Sequence, residues 1–91
     1  MSEITVEHNP SEARLQALGV SGWPTWQKGV SEFHWEYEEN ETAYVLEGEI
    51  IVTPEGGEPV RIVAGDLVVF PEGMECHWQV VKPLRKHYQL G

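Results

Sequence analysis

The stretch GVSEFHWEYEENETAYVLEG, residues Gly29–Gly48, has a glycine at each end and a dense run of aromatic side chains between them. Two-residue alternation along a strand places Trp35 and Tyr37 on one face, and Glu41 returns to that face after a bend. The pattern therefore predicts a pair of strands built around an inward-pointing carboxylate.

Short β-prone segments lie on both sides of this stretch, separated by the glycine- and proline-rich turns PEGGEP, AGD and PEGM. The segments are EITVE (3–7), EFHWEY (32–37), TAYVLEG (42–48), EIIVT (49–53), EPVRIV (58–63), DLVVF (66–70), HWQVV (77–81) and KHYQL (86–90). Only NPSEARLQALG (9–19) favours a helix, with Ser11 as its N-cap and Gly19 as its end. The sequence predicts an all-β sandwich or barrel with one short N-terminal helix.

The length and charge of the chain limit the kinds of protein it can be. Its 91 residues, 41% of them hydrophobic, predict one small domain over 1–91, with a strand and helix in 1–22 and the β-rich part in 23–91. Six Lys and Arg against 15 Asp and Glu give a net charge of -9, which repels nucleic acids and anionic membrane surfaces. We therefore expect neither of these partners.

One cysteine, Cys76, and a polar start to the chain predict a protein of the reducing cytoplasm. A single cysteine cannot form an intramolecular disulfide. The first ten residues, MSEITVEHNP, lack the apolar segment of a signal peptide. No apolar run approaches the ~20 residues that are needed to span a bilayer.

The spacing within Gly29–Gly48 resembles the first motif of the cupin superfamily, G-x5-H-x-H-x3-4-E-x6-G. Trp35 and Tyr37 stand at the two histidine positions, and Glu41 matches the glutamate. The resemblance implies the cupin fold, a double-stranded β-helix or jelly-roll barrel, with these side chains facing its interior. It also implies that two of the usual metal ligands have been replaced.

A second stretch resembles the other cupin motif, G-x5-P-x-G-x2-H-x3-N. Gly65, Pro71 and Gly73 match it, whereas Cys76 stands at the histidine position and Val80 at the asparagine position. The segments WPTWQKGVSEFHWEYEENETAYVLEG, AGDLVVFPEGMECHWQV and KPLRKHY further resemble small cupin 3 proteins of the ureidoglycine-aminohydrolase-like group. Since that group contains both metalloenzymes and members of unknown function, the resemblance implies a fold more firmly than a reaction.

Glu41 is the strongest candidate for a catalytic residue. A carboxylate among aromatic side chains suits a general acid or base, or a group that binds a cationic or amide ligand; the alternative is a structural pair with an arginine or a backbone N–H. Trp35 has no lone pair for a metal, and either fills the barrel mouth or stacks on a planar ligand. Tyr37 is a hydrogen-bond donor, and becomes a metal ligand only when deprotonated.

Residues near the C-terminus extend the same candidate pocket. Alternation puts Trp78 on the face of Cys76, whose thiol is either a small buried apolar group or a soft metal ligand. Either His87 or Tyr88 completes the pocket if the strand KHYQL pairs beside it. Trp23 and Trp26 either cover the barrel or contact a second subunit.

Together these residues predict a pocket that binds or acts on a small polar metabolite without a cofactor. The expected lining is Trp35, Tyr37, Glu41, Cys76, Trp78 and His87. A homodimer is also expected, because a small barrel leaves sheet edges exposed. Because an isolated buried carboxylate is costly, Glu41→Gln is expected to spare the fold.

Two other interpretations stay open. The resemblance implies an enzyme similar to ureidoglycine aminohydrolase, with manganese, zinc or iron held by Glu41, Cys76 and Tyr37, and with His87 as a further ligand. The other is a non-catalytic assembly protein whose exposed aromatic side chains contact a partner. Metal content would separate the first interpretation from the rest.

Overall fold

Seven antiparallel strands and one short helix make up the fold in the computed structural model, which describes residues 3–91. The elements are β1 Thr5–His8, α1 Glu12–Leu18, a 3₁₀ turn Val20–Gly22, β2 Thr25–Lys28, β3 Ser31–Glu36, β4 Glu41–Pro54, β5 Val60–Val63, β6 Asp66–Phe70 and β7 Glu75–Leu90. The predicted all-β class with one short helix is confirmed.

The two long strands, β4 and β7, organise the sheet by pairing with each other and with two further strands each. The first part of β4 pairs with β6 and the later part with β5. The first part of β7 pairs with β3 and the later part with β2, while β1 joins the outer edge of β6. Because each long strand changes partners along its length, the sheet is arranged as expected for a sandwich or barrel.

A change of phase in β4 decides which side chains are buried. Before Gly48 the buried residues are odd-numbered, including Ala43 and Val45, and after it they are even-numbered, including Ile50 and Val52. The β4–β7 register shifts between Val45 and Ile50, as an extra residue in a strand requires. The bulge lets both halves of β4 bury their apolar side chains.

The core consists of buried side chains from β4 through β7 and of Tyr37, which follows β3. Its members are Tyr37, Ala43, Val45, Ile50, Val52, Ile62, Val68, Phe70, Cys76, Trp78, Val80 and Leu84. The helix α1 contributes no buried residue to this core. The strands and the β3–β4 connection therefore build it.

The helix begins and ends where the sequence predicts. The Ser11 side chain accepts a hydrogen bond from the Arg14 backbone N–H at 3.2 Å, and Gly19 adopts the left-handed conformation with φ of 74°. In residues 3–91 no helix has the length and apolar character needed to cross a membrane.

The strand predictions differ from the structure in several places. The segments 42–48 and 49–53 form the single strand β4, and 77–81 and 86–90 form the single strand β7. The predicted strand at 3–7 lies at Thr5–His8. Strand β2, Thr25–Lys28, was not predicted at all, because four residues between a proline and a glycine give too short a pattern.

Candidate functional site

A cavity of about 270 Å³ opens between strands β2, β3, β4 and β7. Its lining is mostly aromatic and contains one acid and one base: Trp26, Phe33, Trp35, Tyr37, Glu41, Trp78, Lys86, Tyr88 and Leu90. Such a lining, apolar with a few polar groups, is the usual composition of a small-molecule site.

Strand register places the aromatic side chains around this cavity. Phe33 of β3 lies opposite Trp78 of β7, and Trp26 of β2 lies opposite Lys86 of β7. Trp78 and Lys86 are both even-numbered, so alternation along β7 points them to one face, where both are buried. Tyr88 continues the same series at the rim.

The aromatic rings hold one another in place. Tyr37 stacks on Phe70 with ring centroids 4.8 Å apart and nearly parallel planes, and Phe33 stacks on Trp78 at 5.6 Å. Trp26 meets Trp78 edge to face at 6.1 Å. Such pairs stabilise beyond the area they bury, so they strengthen the packing of the cavity walls.

Tyr37 carries a phenol that keeps its proton. The Trp78 indole N–H donates to its oxygen at 3.2 Å, inside the core. Burial, and next the nearby charge of Glu41, raise the pKa of Tyr37 far above its ordinary value. In this environment the Tyr37 phenol is a neutral hydrogen-bonding group.

A buried ion pair joins Glu41 to Lys86. The Lys86 ammonium donates to Glu41 Oε2, and the side chains of Lys86 and Glu41 are only 6% and 10% exposed. The ammonium also lies over three aromatic rings, 5.1 Å from the centroid of Trp26, 5.0 Å from Trp78 and 5.8 Å from Phe70. A carboxylate and ring faces thus surround the cation.

Two opposing effects act on the Lys86 ammonium. Burial lowers the pKa of Lys86 below its ordinary value, while the Glu41 carboxylate favours the charged form by its charge and its hydrogen bond. Burial is the larger effect. The charged state of Lys86 therefore depends on its contact with the Glu41 carboxylate.

The structure brings four of the six predicted pocket residues together. Trp35, Tyr37, Glu41 and Trp78 line the cavity, and Trp35 is 46% exposed at its rim. The alternative of a structural partner for Glu41 holds in part, because the carboxylate is paired, but with Lys86 and not with an arginine or a backbone N–H.

Cys76 and His87 differ from the prediction, because neither lines the cavity. Cys76 is buried in the core, where its thiol contacts the Trp35 carbonyl oxygen at 3.6 Å, and burial raises the pKa of the Cys76 thiol to about 11. His87 is odd-numbered on β7 and turns away; its Nδ1 lies 2.9 Å from the Trp23 carbonyl oxygen.

Several lining residues were missed from the sequence, and Lys86 is the most important of them. The others are Phe33 and Leu90. Trp26 and Tyr88 also line the cavity; the sequence leaves Trp26 open between a cover for the barrel and a contact with a second subunit, and leaves Tyr88 open as the alternative to His87. Alternation along β7 relates Trp78 to Lys86, but Pro83 interrupts the pattern between the two predicted segments.

The donor set fits a metal ion poorly. In residues 3–91 no three His, Cys, Asp or Glu side chains form a group that could hold one. The Lys86 ammonium binds the Glu41 carboxylate, and Tyr37 and Cys76 hold their protons more firmly than usual. A structural zinc site requires four good donors and a catalytic one requires three. Glu41, Tyr37 and Cys76 do not supply them.

Solved structures show the same fold. A DUF861 family protein from Thermotoga maritima matches with a TM-score of 0.95 and 49% identity, covering 98% of this chain and 100% of that chain. A protein of unknown function (DUF1255) from Acidithiobacillus ferrooxidans matches with a TM-score of 0.67 and 25% identity, covering 69% of this chain and 60% of that chain. No curated protein matches the chain.

A third structure connects the chain to a described family. It is a protein from Salmonella typhimurium, provisionally assigned as ethanolamine utilization protein Q, with a TM-score of 0.66 and 30% identity. The match covers 72% of this chain and 53% of that protein, so this chain spans about half of its length. The model of the EutQ-like cupin domain matches residues 15–88. The chain therefore belongs to the EutQ-like cupin domain family, Cupin_3.

Proposed function

We propose that this cupin domain, a jelly-roll barrel, binds a small molecule in its aromatic cavity. The apolar part of the ligand would lie against the tryptophan and tyrosine rings, and its polar group would meet Glu41 and Lys86. The observation that carries the proposal is the buried ion pair facing an otherwise apolar cavity.

An ion pair in this position is poorly explained by stability alone. Taking two charges out of water costs several kcal/mol for each ion, and well-packed apolar residues often serve as well or better, so about 0–4 kcal/mol of stability is forgone. A polar pair at the wall of an apolar cavity does have a use in orienting a ligand. At about 270 Å³ the cavity is near the small end of the usual range, so the ligand is small.

Binding can be measured through the cavity's own tryptophans. Trp26, Trp35 and Trp78 line it, so a bound molecule is expected to change the intrinsic fluorescence and to raise the melting temperature. Glu41→Gln removes one charge of the Glu41–Lys86 pair. It is expected to weaken the binding of a ligand identified in this way by about 1–3 kcal/mol.

The matched control is Glu49→Gln on the same strand. Glu49 pairs with Arg61 at 2.9 Å, and neither residue lines the cavity. Glu49→Gln should therefore leave the affinity for the ligand unchanged. Equal weakening by the two substitutions, or a set of small planar molecules that leaves both fluorescence and melting unchanged, would contradict the proposal.

The same ion pair could also support acid–base chemistry. A carboxylate and an ammonium in contact can pass a proton between them, and such groups serve as general acids and bases when a substrate lies within hydrogen-bond reach. Glu41 remains the candidate for that role, now with Lys86 as its partner. Binding is the simpler proposal, because it requires only the observed geometry.

The alternative function is a divalent-metal-dependent enzyme similar to ureidoglycine aminohydrolase. Its ligands would have to come from Glu41, Cys76, Tyr37 and His87, and of these only Tyr37 and Glu41 line the cavity. The donor geometry therefore does not favour it. Elemental analysis decides between the two: one equivalent of manganese, zinc or iron that survives dialysis and is lost in Glu41→Gln would favour the enzyme.

We also propose that the protein is a homodimer. Large apolar side chains are exposed, with Leu90 51% and Val30 68% accessible, and a domain of this size has a small core. Sedimentation equilibrium at micromolar concentration is expected to give twice the chain mass of 10.3 kDa. A stable species of the single-chain mass would contradict the dimer.

A further inference from the structure

The Glu41–Lys86 pair offers the cavity a hydrogen-bond acceptor and a donor side by side. A lysine ammonium has three N–H donors, and Lys86 uses one for Glu41 Oε2. Within residues 3–91 the other carboxylate oxygen, Oε1, accepts no hydrogen bond, although both side chains line the cavity. Apart from this bond, the ammonium nitrogen lies over the rings of Trp26 and Trp78, whose faces are weak acceptors, so donors are left for a ligand.

The Glu41–Lys86 pair has a net charge of zero, and this limits the charge that a ligand can carry. An anion would pair with Lys86 but lie beside the Glu41 carboxylate, and a cation would pair with Glu41 but lie beside the ammonium. In either case a low-polarity cavity would gain a charge that nothing balances, which is costly. An uncharged ligand avoids this cost.

A primary amide fits both free positions at once. Its carbonyl oxygen would accept from the Lys86 ammonium, and its N–H would donate to Glu41 Oε1. Both hydrogen bonds would be charge-assisted, which makes them stronger than bonds between neutral groups. The flat amide plane can also stack on the aromatic rings that line the cavity.

We infer that the ligand of this cavity carries an uncharged amide-type head group, recognised by Glu41 and Lys86 together, on a small planar body. This rests on the proposed function of the cavity as a small-molecule site. It adds the chemical class of the ligand.

Three probes of nearly the same shape test the inference. Benzamide is neutral, benzoate is an anion and benzamidine is a cation at neutral pH. Isothermal titration calorimetry on the full chain is expected to show benzamide binding roughly tenfold more tightly than either charged probe. Tighter binding of benzoate or benzamidine by the unmodified protein would overturn the inference while leaving the cavity a binding site.

The two single substitutions should shift the preference among the three probes in opposite directions. Glu41→Gln leaves an ammonium alone, so the preference should move toward benzoate by roughly tenfold. Lys86→Met leaves a carboxylate alone, so the preference should move toward benzamidine. Unchanged preferences in both variants would overturn the inference.

A double variant keeps the test usable if the single variants do not fold. Glu41→Leu with Lys86→Met removes both charges and retains apolar volume, so it should fold. It is expected to bind benzamide roughly tenfold more weakly than the unmodified protein. Full retention of benzamide affinity would overturn the inference, and failure of all three probes to bind the unmodified protein would overturn the proposed function as well.

Discussion

Lys86→Met is expected to lower the free energy of unfolding by about 3–5 kcal/mol, because it leaves the Glu41 carboxylate buried without its cation. Methionine keeps most of the length of lysine and can pack against Trp26 and Trp78, so the loss of charge is the main change. For a domain whose whole stability is about 5–15 kcal/mol, this is a large fraction. Urea denaturation measures it directly.

The double variant separates the cost of an unpaired charge from the value of the pair. Glu41→Leu with Lys86→Met leaves no charge of this pair in the core. Its free energy of unfolding is expected to lie within about 1 kcal/mol of that of the unmodified protein, or above it. Lys82→Met is the control on the same strand, since the Lys82 side chain is 70% exposed and its loss should change stability by at most about 0.5 kcal/mol. A double variant as unstable as Lys86→Met would show that the pair itself holds the fold together.

The pH dependence of Glu41→Gln gives a second readout of the same pair. Burial already lowers the pKa of Lys86, and removing the carboxylate takes away the effect that opposes burial. Below the ordinary lysine pKa of about 10.4 the unfolded chain then binds more protons than the folded one, so stability rises with pH toward that value. The slope should be steeper in Glu41→Gln than in the unmodified protein, and equal slopes would contradict the burial of a charged Lys86.

We expect Glu41→Gln to destabilise the fold, because it leaves the buried Lys86 ammonium without its counter-charge. The sequence alone predicts that this substitution spares the fold. That expectation assumed an isolated carboxylate, and Glu41 is not isolated. Its partner is 45 residues away along the chain, and a contact of that separation has no periodic signal. The amide of glutamine could still accept one hydrogen bond from Lys86, but the ammonium would lose its counter-charge.

Local features of the fold were predictable because each depends on a few neighbouring residues. The cap at Ser11 and the left-handed Gly19 set the ends of the helix, and the turn glycines separate the short strands. The continuity of β4 and β7 was not predictable in this way. Gly48 and Pro83 look like breaks in a sequence pattern, whereas in the structure both lie inside paired strands.

The candidate site was predictable as far as strand alternation could be followed without interruption. Alternation relates Trp35 to Tyr37 and Cys76 to Trp78, and each pair does lie on one face. It does not say how deeply a residue is buried, and so Cys76 was assigned to the pocket although it lies in the core behind Trp35. Lys86 was missed for a chemical reason as well, since lysine is rarely buried unless it is paired.

Gly48→Ala is expected to destabilise the protein by roughly 3–5 kcal/mol, combining backbone strain with a steric overlap. Gly48 has φ of 100°, and a Cβ there would lie 2.3 Å from the Pro83 carbonyl oxygen and 2.9 Å from Leu84 Cα. These are backbone atoms of β7, so they cannot rotate away, and β4 and β7 would have to separate. Leu84 is two residues before Lys86 on β7, so the displacement of β7 should also disturb the aromatic cavity.

Gly56→Ala is the matched control for this prediction. Gly56 also has a positive φ, 74°, but a Cβ there would meet no atom within 4 Å. It should show only the backbone strain, about 1–3 kcal/mol. Near-ultraviolet circular dichroism should report a changed tryptophan environment in Gly48→Ala and an unchanged one in Gly56→Ala. Equal losses of unfolding free energy in the two variants would mean that the close approach of β4 to β7 at Gly48 adds nothing to the backbone strain.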